Sequence, residues 1–353
     1  MNSMKAKKAL DTVINKARVH FYKPIQIAEI LHRDRVYGDI DLSDLSSYKN
    51  LSKKWRDIIC NQFLGRTSTS SARYQDDLFN ENAVPPNLLN ELGEENRNKN
   101  GIVEAYIYRK FESKLSQMTM GLGYCSEHSK ENFDVQEFLS LFWHEPGLKR
   151  SIDKIYEIIV FSLFSSLIDS LDIFVEISID NNKAPIIEEF KEFAHKVIYL
   201  SPMEDSLKFK AKVHRVGVTN AADRGIDMWT SFGLTIQVKH VSLTEDKAQD
   251  IVSSVSSDRI VIVCKDTEEK IILSILNQVG WKSKIQSIIT ETELIGWYEK
   301  ALRGKYANII GDQLLQTIND EIKLEFPITD DSEFTSFLEE RGYTNLSDSL
   351  WEA

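Results

Sequence analysis

Cysteine is scarce in this chain of 353 residues, which has three in all. Cys60, Cys125 and Cys264 lie far apart and form no C-x-x-C pair, which argues against a disulfide framework and against a zinc site. Buried, inert thiols in a reducing cytosol are the reading that fits. The N-terminus carries lysines but no apolar core segment, so no signal peptide is expected. The longest apolar run, Ile155 to Ile168, contains Glu157 and several serines, and falls short of the ~20 apolar residues that a membrane span requires. There is no glycine-rich phosphate loop to suggest ATP use, no pattern for a methyl donor, no internal repeat and no low-complexity tract. Excess positive charge is missing too: the net charge is −11, which on its own disfavours a nucleic-acid partner.

What is present reads as an ordinary globular protein, with 42% hydrophobic and 27% charged residues. The length predicts two domains, or one core with a large appendage. Charge is unevenly spread. Residues 1–73 hold 14 Lys+Arg against 7 Asp+Glu, a balance of +7, so an acidic body carries a basic N-terminal part. That part can be a footprint for a polyanion or simply a solvated helical surface.

Periodicity predicts helices at Ala6–Ala17, from Pro24 along PIQIAEILHR, and at Leu51–Leu64. Gly65–Arg73, hydroxyl-rich and bearing Arg66 and Arg73, reads as a loop of the kind that can contact phosphates. Residues 80–100, with Pro85-Pro86, read as a flexible connection. Helical pattern returns at Val103–Met118 and Phe133–Phe142. After His144–Gly147 the texture changes. A long apolar helix is expected at Ser151–Leu171 with Ser151 as its N-cap, then a strand at Ile173–Ile179, a helix at Pro185–Lys196 and a short strand at Val197–Leu200. Further on, helices at Thr244–Val255, Glu269–Val279 and Glu291–Leu302 alternate with strands at Arg259–Cys264 and Lys284–Ile289. The tail from Lys305 adds helices around a break at Pro327. The expected class is α/β, a mixed central sheet flanked by helices, with a mainly helical N-terminal region at 1–145, a core at 146–304 and a C-terminal helical extension at 305–353.

The most informative stretch is RGIDMWTSFGLTIQVKHV, Arg224 to Val241. It reads as two strands joined by a glycine-containing turn. With the turn centred on Phe232, Asp227 stands opposite Gln237, and Lys239 shares the face of Gln237 while Val238 points back into a core. A carboxylate, an amide oxygen and an ammonium would converge on one exposed face, a set suited to a divalent metal with a phosphodiester in front of it. The same three residues would also suit the solvated face of an ordinary hairpin. His240 should face the other way, toward the core. His144-Glu145 has no second histidine at helical spacing and reads as surface.

Beyond spacing, the long segments KPIQIAEIL, FLGRTSTSSA and GVTNAADRGIDMWTSFGLTIQVKH, with the helix bearing IYEIIVFSLF, resemble type II restriction endonucleases of the HaeII family across nearly the whole chain. The resemblance implies the PD-(D/E)xK nuclease fold, double-stranded DNA as substrate and Mg2+ as cofactor. It further implies a companion methyltransferase and, for the type member, a GCGC-centred site with a purine and a pyrimidine at its ends. It carries the active site onto Asp227, Gln237 and Lys239. Where most such nucleases have an acidic residue before x-Lys, this chain has Gln237, whose amide oxygen can ligate Mg2+ but adds no charge. Such a site suits one metal rather than two. Glu157, about two turns into the helix before the core strands, is the candidate for the missing carboxylate. It is equally readable as a polar residue at the edge of an apolar helix.

The implied chemistry is metal-assisted hydrolysis leaving a 5′-phosphate and a 3′-hydroxyl. Asp227, the Gln237 side chain and the Val238 carbonyl would be ligands, and Lys239 would position water and offset phosphate charge. Arg215, Asn220 and Arg224, just before the Asp227 strand, are candidates with Arg66 and Arg73 for DNA contact. A palindromic site calls for a homodimer in the cytoplasm of a prokaryotic cell. Two alternatives remain: a nuclease of the same fold acting in repair, and a DNA-binding protein whose nuclease site has decayed.

Overall fold

A computed structural model describes residues 2–17, 21–68, 70–142, 149–200, 206–216, 226–255, 257–278, 280, 284–325, 331–347 and 351. Two compact units emerge. The first holds the described residues up to Ile155 and those from Asn319 onward; the second holds those from Tyr156 to Ile318.

The first unit is helical. Its longer helices are α1 (Asn2–Lys16), α2 (Tyr22–Tyr37), α3 (Leu51–Leu64), α4 (Pro86–Asn98) and α5 (Ile102–Glu127). α3 ends where its pattern does, at Gly65, which takes φ 61° without the clash a side chain would bring. α4 corrects the expectation of a flexible connection at 80–100. Pro86 does not break structure there but starts it, occupying a first-turn position whose missing N–H costs nothing. Leu88, Leu89 and Leu92 then fall on one side and are buried, each worth about 1.5–3 kcal/mol relative to exposure. Of the polar residues that made this stretch read as a connection, Asn87, Glu94 and Asn98 form the helix's solvent face, while Asn96 is buried.

The sequence reading set 305–353 apart as an extension. In the structure Phe334, Phe337, Leu338, Tyr343 and Trp351 sit in the same core as α1–α5. Phe63 packs edge-on to both Phe334 and Phe337 at 5.0 Å between centroids. Two charged networks run through that core. Glu104 is held by Arg35, His32, Asn96 and Tyr343, and Glu29 by Tyr108 and Arg341. Burial pushes the Glu104 carboxyl up, but hydrogen bonds from Arg35 and His32 outweigh it and bring the pKa down to about 2.

The second unit is α/β. It takes in most of α6 (Lys149–Ser170), which begins two residues before Ser151, so Ser151 lies inside the helix rather than capping it. A two-stranded antiparallel ribbon, β1 (Phe174–Ser178) with β2 (Ser206–Lys210), comes next. Between its strands the chain is helical from Ala184 to Ile198 in short pieces ending in a wider, π-type turn. Val197–Leu200 therefore closes a helix instead of forming the expected strand.

The main sheet has the order β3-β4-β5-β6-β7, from β3 (Val213–Arg215), β4 (Met228–Thr230), β5 (Thr235–Ser242), β6 (Ile260–Lys265) and β7 (Ile285–Thr290). The first three form an antiparallel meander, while β5, β6 and β7 are parallel. Parallel neighbours require crossovers, supplied by α7 (Glu245–Ser254) and α8 (Glu269–Asn277). Both helices pack on the face of β6 that carries Ile260, Ile262 and Cys264. α9 (Glu291–Arg303) follows β7 directly, started by a capping box between Thr290 and Glu293. The Tyr298 hydroxyl of α9 donates to the Ile159 carbonyl of α6 at 2.8 Å, and Tyr156 of α6 packs on His240 of β5 at 4.9 Å. The sheet is thus covered on both faces, which explains the uninterrupted apolar run IVIVC in β6. α10 (Ala307–Glu325) and α11 (Asp331–Glu340) complete the chain. The expected break at Pro327 and the His144–Gly147 segment lie outside the described residues.

Candidate active site

The β4–β5 hairpin closes through three residues, Ser231 to Gly233. Gly233 adopts φ 82°, and its N–H donates to the Thr230 carbonyl at 3.1 Å. Such a loop, ending in a left-handed glycine, fixes the register of the strands it joins. Met228 pairs with Ile236 and Trp229 with Thr235, the register that places Asp227 opposite Gln237.

Beyond Ile236, β5 has no partner strand on the β4 side among the described residues, and the Asp227 carboxylate occupies that gap. Its Oδ2 accepts a hydrogen bond from the Val238 backbone N–H at 2.7 Å, and a second from the Gln237 side-chain amide. A carboxylate taking two N–H donors is fixed in orientation before any ligand arrives. Gln237 and Lys239 lie on the sheet face of Ile262 and Cys264, their parallel partners on β6.

One expectation is corrected here. The three groups do not meet on an exposed face, because Gln237 is only 1% exposed. The crossover helices fold back over this side of β5 and bury it. Asp227 and Lys239 remain partly open. The Lys239 side chain forms no hydrogen bond or ion pair with the described residues.

Glu157 is buried on α6, next to the Tyr156 that touches His240. Val238 meets Asp227 through its N–H. Among the described residues, no three His, Cys, Asp or Glu side chains gather as a metal site, so any metal here would depend on an amide or backbone oxygen beside Asp227. Asp227 and Gln237 offer hard oxygen donors of the kind Mg2+ prefers, and in that chemical sense they fit it.

The structure adds charged groups that the sequence reading passed over. Lys265, Asp266 and Glu291 stand at the carboxyl ends of β6 and β7, near the end of β5. Burial, and then the charge of Lys265, lower the pKa of His240 to about 4. Burial raises that of Glu291, against the pull of Lys265 and with the push of Asp266. The Thr292 N–H donates to Asp266 at 3.1 Å. The signal was available: charges placed immediately after apolar parallel strands mark the sheet end where α/β proteins bind ligands.

The other candidates are dispersed. Arg66 donates to the carbonyls of Leu324 and Glu325 at 3.1 and 2.8 Å, capping the end of α10. Arg73 is exposed in the short helix Ala72–Asp76. Arg215 closes β3 opposite Met228. Asn220 and Arg224 lie outside the described residues.

A mixed five-stranded sheet clad in helices, after a helical N-terminal half, is a fold consistent with a restriction endonuclease. The profile of the HaeII restriction endonuclease family matches residues 6–343. The chain is 60% identical over 343 residues to the type II restriction enzyme HaeII of Haemophilus aegyptius, covering 97% of each chain. It is 55% identical over 344 residues to the type II restriction enzyme NgoBI of Neisseria gonorrhoeae, again covering 97% of each. The chain belongs to the HaeII restriction endonuclease family, and its relatives are type II restriction enzymes. Among the described residues no helix is long and apolar enough to cross a membrane.

Proposed function

We propose that this protein is a Mg2+-dependent type II restriction endonuclease of the PD-(D/E)xK kind, with Asp227, Gln237 and Lys239 as its catalytic centre. The observation that carries this reading is the hairpin register. It sets the Asp227 carboxylate against Gln237 and Val238, two residues from a lysine whose side chain has no hydrogen bond or ion pair with the described residues. The substrate is double-stranded DNA at a short palindromic site, GCGC-centred with a flanking purine and pyrimidine on the strength of family resemblance. The products carry a 5′-phosphate and a 3′-hydroxyl. The enzyme works as a homodimer in a prokaryotic cytoplasm, beside a methyltransferase that protects the same site.

Asp227, the Gln237 amide oxygen, the Val238 carbonyl and Glu157 are the groups that would hold the metal. Held by these groups, Mg2+ would supply Lewis-acid chemistry toward a phosphodiester and make water easier to ionise. The chain's own residues do the rest. Asp227, oriented by the Val238 N–H, keeps its charge in a fixed place. Lys239 holds the attacking water by hydrogen bonding and offsets negative charge growing on the phosphate oxygens. Arg66, Arg73, Arg215, Asn220 and Arg224 are proposed to meet DNA, through phosphates or, for arginine, through guanine edges.

The Gln237 amide hydrogen bond to Asp227 also favours a second reading, a DNA-binding protein whose nuclease site has closed on itself. Incubation with plasmid DNA and Mg2+ separates the two. Discrete fragments support the endonuclease; retarded but uncut DNA supports the second reading; smears or structure-dependent nicks would indicate a repair nuclease instead.

A further inference from the structure

The side of the hairpin that carries Asp227 also carries an indole with no part in the hydrolysis. Strand β4 alternates: Met228 and Thr230 are buried, while Trp229 between them is 46% exposed. The Val216 N–H donates to the Asp227 carbonyl at 2.9 Å, so the β3–β4 ladder runs on through Asp227 and sets its side chain on the side of Trp229. Opposite Trp229 on β3 is His214, and the two rings stack at 4.1 Å between centroids with 21° between their planes. Lys212 continues that row two residues before His214. Its carbonyl accepts from the Ser231 N–H at 3.0 Å and its N–H donates to the Ser231 hydroxyl at 2.9 Å, which extends the ladder to the hairpin tip.

The polar ends of these side chains are unused inside the protein. The Trp229 indole N–H, the His214 ring nitrogens and the Lys212 ammonium have no hydrogen bond or ion pair among the described residues. An indole half in water and held flat by one stacked neighbour keeps surface for a second ring.

We infer that Trp229, braced by His214, is a stacking surface for the DNA nucleotide next to the scissile phosphate, and that Lys212 binds the phosphate beyond it. This contact rests on the endonuclease reading, which puts the scissile phosphate at Asp227. Side chains on one face of a strand repeat every two residues, about 6.8 Å. Trp229 lies one such repeat from Asp227, and Lys212 lies about two away in the same direction. A DNA strand leaving Asp227 along the hairpin therefore meets the indole first and the ammonium next. Aromatic faces stack on any base, while ammonium and N–H groups suit phosphate oxygens. Lys212 and Lys239 bracket Trp229 and Asp227 with positive charge on a chain whose net charge is −11, a local complement to a polyanion. Trp229 does not touch the reacting atoms; it is a positioning residue for the strand being cut.

Binding of a fluorescently labelled GCGC-centred duplex to the full chain, measured by anisotropy in EDTA, tests the contact apart from cleavage. Trp229→Ala should weaken binding about tenfold or more, and Trp229→Phe, which keeps a ring, should stay within about threefold of the wild type. Both should melt with the wild type, since the side chain is half in water. Lys212→Gln should weaken binding and reduce its salt dependence by about one ion. Duplexes carrying a photoreactive base at one position each should cross-link to Trp229 from the position adjoining the cut. Wild-type affinity in Trp229→Ala, or cross-links that avoid Trp229, would overturn the inference. Weakened binding by Trp229→Ala, in a protein whose wild type cuts nothing, would uphold the surface and overturn the endonuclease reading. Undiminished binding and cutting by that variant would overturn the surface and leave the reading standing.

Discussion

The Val238 backbone N–H donates to the Asp227 carboxylate at 2.7 Å, across a gap where strand pairing between β4 and β5 has stopped. A side chain thereby replaces a strand in the ladder, and the site's negative charge is tied to the hairpin's integrity. Asp227→Asn keeps an acceptor for Val238 and should leave stability within about 1 kcal/mol. Asp227→Ala leaves the Val238 N–H and the buried Gln237 amide unpaired, and should cost about 2–3 kcal/mol. Urea denaturation of the two variants checks the difference. Equal stabilities would mean that the carboxylate does not hold the hairpin.

Glu104 sets an acid limit on the helical unit. Its folded pKa of about 2 lies below its ordinary value of 4.5. The stabilisation is therefore complete above pH 4.5 and is lost as pH falls from there toward 2, by about 3 kcal/mol in all. Glu104→Gln should abolish that part of the acid dependence, and at neutral pH it should destabilise by about 3 kcal/mol because Arg35 loses its charge partner. Denaturation midpoints measured from pH 3 to 7 in both proteins test this.

Tyr156 is buried against His240 while its hydroxyl has no hydrogen-bond partner among the described residues. Burial, with Glu291 the largest of several nearby groups acting the same way, pushes its pKa upward, so it stays neutral. Removing an unsatisfied hydroxyl removes a desolvation cost. Tyr156→Phe should leave stability unchanged or raise it by up to about 1 kcal/mol; a loss of 2 kcal/mol or more in chemical denaturation would show that the hydroxyl is engaged.

Glu157 is the proposed source of the charge that Gln237 lacks. With Glu157→Gln, cleavage at saturating Mg2+ should fall by about a hundredfold or more, and the Mg2+ concentration for half-maximal rate should rise. A variant with unchanged Mg2+ dependence would make Glu157 a buried structural residue only.

Much of this was legible in the sequence because hairpins and parallel strands follow local rules. The symmetric spacing around Phe232 and the left-handed Gly233 fix the register that sets Asp227 opposite Gln237. The run IVIVC marks a strand covered on both faces. Burial of Gln237 was not legible, since it depends on helices that cross back over β5 from farther along the chain. α4 was missed because its Glu and Asn residues outnumber its leucines, and because Pro85-Pro86 was taken for a stop rather than a start. Placement of the C-terminal aromatics beside Phe63 and Tyr108 is long-range packing that no local pattern encodes. The charges at Lys265, Asp266 and Glu291 acquire meaning only once the strands are known to be parallel.

The central claim is that the β4–β5 hairpin performs the chemistry. It is tested most directly by incubating plasmid DNA and Mg2+ with the wild-type chain, Lys239→Ala and Asp227→Asn, and reading fragments on a gel. The account predicts discrete fragments from the wild type and a loss of about a thousandfold or more in each variant, with circular dichroism unchanged. Fragments from either variant at near wild-type rate would contradict it and move the active site elsewhere.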